Sequence, residues 1–128
     1  MPLVVSQQQI PLYPVIVATV VLSGQTAAIA STPILANAPP GIYRANVSLV
    51  LTAVGTSGNL IANVIATDDA QAETIVAATI TSILAKGQAG SSVIIQNTAT
   101  GNINYSTTFS LVIGAAAYSL YIVLERLF

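Results

Sequence analysis

Cysteine, histidine and tryptophan are all absent from this chain, and lysine occurs once. Without cysteine there is no disulfide, no thiolate metal site and no thiol nucleophile, and the redox compartment is left open. Without histidine the Ser-His-Asp and Cys-His arrangements and the histidine-rich metal sites are excluded. Charge is scarce too: three basic and four acidic residues make up 5% of the chain, where soluble globular proteins carry about 25%. Three scattered cations cannot neutralise a run of phosphates, so no nucleic-acid partner is expected.

Long apolar runs are also missing, although 54% of the residues are hydrophobic and the mean hydropathy is +0.80. The best window, 111–124, is interrupted by Gly114, Tyr118, Ser119 and Tyr121 and falls short of the roughly 20 apolar residues that a spanning helix needs. No membrane span is expected. The opening "MPLVVSQQQIPLYP" contains no basic residue, unlike the start of a secretory signal. The clustered carboxylates Asp68, Asp69 and Glu73 lack EF-hand spacing, and Ca²⁺ wants about 6–8 oxygen ligands, so they read as a solvated acidic corner. Ser82 and Lys86 imitate a Ser-Lys pair, but Lys86 precedes Gly87 in a turn and reads as a charged tip. Neither "GTSG" nor "GQAGSS" has the Gly-Lys-Ser/Thr ending of a phosphate loop. The expectation is a protein that is not an enzyme, with no catalytic residues, cofactor or metal.

What the chain does contain is alternation. From Gly41, Tyr43, Ala45, Val47, Leu49 and Leu51 alternate with Arg44, Asn46, Ser48, Val50 and Thr52, a period of two that specifies a strand with one buried face. "GTSG" then supplies a polar turn, and Leu60, Ala62, Val64 and Ala66 resume the pattern, so the stretch reads as a β-hairpin. Further strands are expected at 15–22, 27–35, 74–84, 91–98, 102–113 (with a break near Ser106) and 117–126, with Gly87, Gly90, Gly101, Gly114 and Pro39-Pro40 as punctuation. Residues 68–87 carry helix signals, acidic at the start and Lys86-Gly87 at the end. Residues 74–85 are nevertheless mostly β-branched, which favours a strand.

About eight short strands without a fixed repeat predict an all-β fold, an antiparallel jelly-roll-like β-sandwich over 14–128, with an extended N-terminal arm over 1–13. The opening stretch 1–14 holds three prolines and three consecutive glutamines and no charge, which rules out a helix or a central strand. Val4, Val5, Ile10, Leu12 and Tyr13 make it too apolar for a solvated tail, so it is a candidate docking segment. Several strands, among them "VIVATVV", "SLVLTAV" and "LYIVL", are apolar on both faces. An antiparallel sandwich normally wets one face, so a second burial is expected, as a symmetric homo-oligomer. The final strand ends on Glu125-Arg126. If it lies near the strand that carries Arg44, Arg44 and Glu125 form a candidate structural ion pair; the alternative is that each reaches solvent alone.

The stretch "GIYRANVSLVLTAVGTSGNLIANVIATDD", with "INYSTT" at 103–108 and "YSLYIVLERL" at 118–127, resembles a pattern in small β-sandwich structural proteins of tailed bacteriophages, similar to tumour-necrosis-factor-like jelly rolls. Ala66 stands where that pattern has an aromatic residue. The resemblance implies a virion protein made in the host cytoplasm and placed on the capsid surface. It would be a homotrimeric capsid decoration (cementing) protein whose partners are itself and the major capsid protein or another virion protein. The alternative is a fibre or receptor-binding head that recognises a cell-surface ligand, against which the absence of tryptophan and the few aromatics count.

Overall fold

The computed structural model describes residues 13–68, 71–113 and 115–128, and every regular element among them is a β-strand. The strands are β1 (Val15–Gln25), β2 (Ile29–Ala38), β3 (Gly41–Ala53), β4 (Ser57–Asp68), β5 (Gln71–Ile80), β6 (Gly87–Asn97), β7 (Gly101–Ile113) and β8 (Ala117–Arg126). They form two four-stranded sheets, sheet A in the order β1-β8-β3-β6 and sheet B in the order β2-β7-β4-β5. Every pairing is antiparallel. This interleaving is the double Greek key of a jelly roll. No helix among the described residues is long and apolar enough to cross a membrane.

The period of two builds the core. Tyr43, Ala45, Val47, Leu49 and Leu51 of β3, with Tyr118, Leu120, Ile122 and Leu124 of β8, turn inward from sheet A. Leu60, Ala62, Val64 and Ala66 of β4, with Ile103 and Tyr105 of β7, meet them from sheet B. One polar chain crosses this layer. The Thr107 hydroxyl accepts from the Ile29 N–H (2.9 Å) and donates to the Tyr118 hydroxyl (2.6 Å), which donates to the Ala27 carbonyl (2.7 Å). It ties β7 of one sheet to β8 of the other and to the β1–β2 connection, with the Phe109 ring edge-on to Tyr118 at 4.9 Å.

The expected hairpin of β3 and β4 is not formed, because the two strands belong to different sheets. Alternation marks a strand with one buried face, and that mark is the same whether the next strand pairs beside it or faces it across the core. The 54–56 connection crosses the gap of about 10 Å between sheets and is held by the β5–β6 connection. Gly55 N–H donates to Ile83 O (3.0 Å) and Ile83 N–H donates to Gly58 O (3.3 Å), with the Ile83 side chain fully buried. The hairpin in this region is β4–β5, whose register runs to Asp68↔Gln71. Other differences are smaller: β5 ends at Ile80, β7 runs unbroken through Ser106, and Gly90 lies inside β6 opposite Ser48. Residues 69–70 and 114 lie outside the described residues.

Candidate functional site

Sheet A presents an outer face that differs from an ordinary solvated one. β8 lies between β1 and β3, and β6 lies on the far side of β3, so outward side chains fall into cross-strand rows. One row runs Ile16, Glu125, Arg44, Ile94; the next Thr19, Val123, Asn46, Ser92; the third Val21, Tyr121, Ser48, Gly90. Val21 is 70% exposed, Ile16 61%, Ile94 57% and Tyr121 40%. These are large apolar side chains in water on a strand surface where Lys, Glu or Thr is usual.

The charges on this face satisfy each other. Arg44 Nε donates to Glu125 Oε1 at 3.0 Å. Asn46 Nδ2 donates to the same oxygen at 2.6 Å and more weakly to Val123 O at 3.4 Å, while Ser92 Oγ donates to Asn46 Oδ1 at 2.6 Å. The network thus crosses β8, β3 and β6, and Arg44 and Glu125 are direct neighbours in the β3–β8 register. The Arg44 hydrogen bond, then that of Asn46, hold the Glu125 carboxyl below the usual carboxylate range. Arg44 was identifiable in the sequence by its rarity; Asn46, two residues on and therefore on the same face, carried the signal that the network extends further.

Beside the network is a shallow depression of about 410 Å³ lined by Asn46, Val47, Ser48, Gly90, Ser91, Ser92, Tyr121 and Val123. Gly90 creates it. A Cβ there would stand 2.8 Å from Val47 O, closer than packed atoms tolerate, so β6 approaches β3 at a point that only glycine allows. A glycine inside a strand marks such a close approach, and that was the available signal. Ser91 Oγ also donates to the Ala77 carbonyl of β5, stapling the β6 edge of sheet A to the β5 edge of sheet B.

The point where the chain enters β1 is anchored by Arg126. Its Nε donates to Phe128 O (2.9 Å) and its Nη2 to Pro40 O (3.0 Å), and its guanidinium carbon lies 5.8 Å from the centres of both the Tyr13 and Tyr43 rings. Gly41 makes room, since a Cβ there would meet Phe128 O at 2.5 Å. Of the expected docking segment, Tyr13 is seen against Arg126; Val4, Val5, Ile10 and Leu12 lie outside the described residues. Glu73, Ser82 and Lys86 are exposed, Glu73 on β5 opposite Ala66 and the other two in the β5–β6 connection.

No protein-family model matches the chain, and no curated protein matches it. Among solved structures it is similar to PRD1 vertex protein P5, with 15% identity over 89% of this chain and 99% of that one and a TM-score of 0.52. It is also similar to the Clostridium thermocellum xylanase 10B CBM22-1-GH10 modules complexed with xylohexaose (16% identity, 84% of this chain, TM-score 0.48), of whose length it spans 21%. A family 16 carbohydrate-binding module-2 matches at 15% identity over 81% of this chain and 73% of that one, with a TM-score of 0.44. The vertex protein shares the sandwich fold almost end to end.

Proposed function

We propose that this chain is a structural virion protein: a homotrimeric jelly roll over 14–128 that sits on the outer surface of a phage head as a decoration protein, with residues 1–13 as the arm that docks on the major capsid protein or another virion protein. The observation that carries this reading is the fold likeness to the PRD1 vertex protein P5 over 99% of that solved chain. Three features support it. The chain has almost no charge with which to solubilise a lone monomer. The outer face of sheet A carries large exposed apolar side chains beside an internally neutralised ion pair. The arm is apolar and uncharged, suited to lying on protein.

The reading is tested on particles banded in a density gradient. The protein is expected to band with them, in a copy number divisible by three, and a chain lacking residues 1–13 is expected to keep its β-type circular dichroism while occupancy falls at least tenfold. Absence of the full-length protein from banded particles overturns the virion reading. Full occupancy without residues 1–13 overturns the role of the arm alone.

A further inference from the structure

We infer that the Gly90 depression on the outer face of sheet A is a binding site for a neutral carbohydrate, with Tyr121 as the surface on which a sugar ring stacks and Ser48, Gln88 and Ser92 as its hydrogen-bonding groups. This goes beyond the virion reading and does not depend on it.

The depression holds an aromatic ring in a chain that has few. Tyr43, Tyr105 and Tyr118 are buried, Phe109 packs edge-on to Tyr118, and Tyr13 and Phe128 stand beside Arg126 at the end of the sandwich. Tyr121 alone among the described aromatic residues is on an outer sheet face, 40% exposed and lining the depression. The face of an aromatic ring carries negative charge density, and the polarised C–H bonds of a sugar ring present the complementary positive side to it.

Hydrogen-bonding capacity is left open around that ring. Ser48 lies opposite Tyr121 in the β3–β8 register and opposite Gly90 in the β3–β6 register. Gly90 puts no side chain beside it, and a second hollow lined by Ser48, Gln88, Ala89 and Gly90 continues the depression along β6. Among the described residues the Ser48 and Tyr121 hydroxyls and the Gln88 amide have no hydrogen-bond partner. The Ser92 hydroxyl donates to Asn46 and keeps lone pairs with which to accept.

These groups select the occupant. An aliphatic side chain of a protein partner would cover the free polar groups and satisfy none of them, which is costly. A sugar hydroxyl both donates and accepts, as serine and tyrosine hydroxyls do, and the glutamine amide matches it with two atoms. Charge selects for neutrality. No Asp, Glu, Lys or Arg lines either hollow, and the charges of the neighbouring row, Arg44 and Glu125, are each other's partner. The volume of about 410 Å³ falls within the roughly 300–1,000 Å³ of small-ligand sites, and the shallow form admits one unit of a longer polysaccharide. The site is set apart from the point where the arm enters: that point pairs through Arg126 with Tyr43, and Ser48 lies roughly 17 Å farther along β3.

Isothermal titration of the purified protein with cellohexaose, maltohexaose, chitohexaose and 3′-sialyllactose tests this. At least one of the three neutral sugars is expected to bind with a Kd of about 1 mM or tighter, and the sialylated one at least tenfold more weakly. Tyr121→Ala, at an exposed position, is expected to keep the circular dichroism and to weaken that binding at least tenfold. Tyr121→Phe, which keeps the ring, and Ser48→Ala are each expected to weaken it about threefold. Val76→Ala on the outer face of sheet B is the control and is expected to change nothing. Absence of binding by all three neutral sugars overturns the site, and so does binding that survives Tyr121→Ala. Tighter binding of the sialylated sugar overturns its neutrality. If no sugar binds and Tyr121→Ala instead lowers the mass in sedimentation, the depression belongs to a contact between copies. Whether the protein bands with particles is decided separately, so failure here leaves the virion reading in place.

Discussion

Glu125 on the outer face of sheet A and Tyr118 in the core show how single polar groups fix contacts between strands. The Glu125 carboxyl titrates below its ordinary range because Arg44 and Asn46 both donate to it. A carboxyl lowered in the folded state contributes stability that is fully present above its unfolded value of about 4.3 and is lost as pH falls through the folded value. The acid limb of the stability profile is therefore expected to flatten in Glu125→Gln, and urea midpoints between pH 3 and 7 at fixed protein concentration measure it. For Tyr118, burial raises the phenol pKa, and its hydroxyl sits between Thr107 and Ala27. Tyr118→Phe leaves both without their partner in a dry site, at an expected cost of about 1–3 kcal/mol by urea unfolding. The sequence showed Tyr118 as an inward residue of a strand. It did not show the hydroxyl's partners, because they come from β7 and the β1–β2 connection, and contacts distant in the chain leave no mark on local alternation.

At the scale of the element, the alternation of β3, β4 and β8 was legible because each buries alternate residues against the opposite sheet. The β-branched residues of 74–85 likewise outweighed the helix signals at its ends, and β5 is a strand. Pairing was not legible. β3 and β4 looked like a hairpin because both have one apolar face, and only the Gly55–Ile83 and Ile83–Gly58 bonds show that the connection climbs between layers. Ile83 was read as part of a longer strand; in the fold it plugs the end of the sandwich. Ile83→Ala is expected to destabilise by about 2–5 kcal/mol, measured by denaturant unfolding, with most of the loss from the cavity left under the crossing. In the candidate site, Arg44 and Glu125 could be singled out by rarity, whereas the Gly90 depression depends on how closely β6 approaches β3, a distance that a glycine read as punctuation does not disclose.

For the whole molecule, the proposed self-association, argued from the low charge and the exposed apolar residues of sheet A, would make stability a matter of concentration. Association that favours the folded chain raises its unfolding midpoint by mass action, so the thermal midpoint is expected to climb over a hundredfold range of protein concentration; a constant midpoint contradicts association. The strand order carries a further consequence, in time and not in energy. β1 has β8 as its only sheet neighbour, and β8 is also the partner of β3. During synthesis at about 5–20 residues per second, the interval between the end of β1 and the appearance of β8 is roughly 5–20 s. Throughout it the strand "VIVATVVLSGQ" has been made but has nothing to pair with, while sheet B can already assemble. The nascent chain therefore carries this apolar strand without its partner for longer than any other strand, and β8, arriving last, closes sheet A from the middle outward.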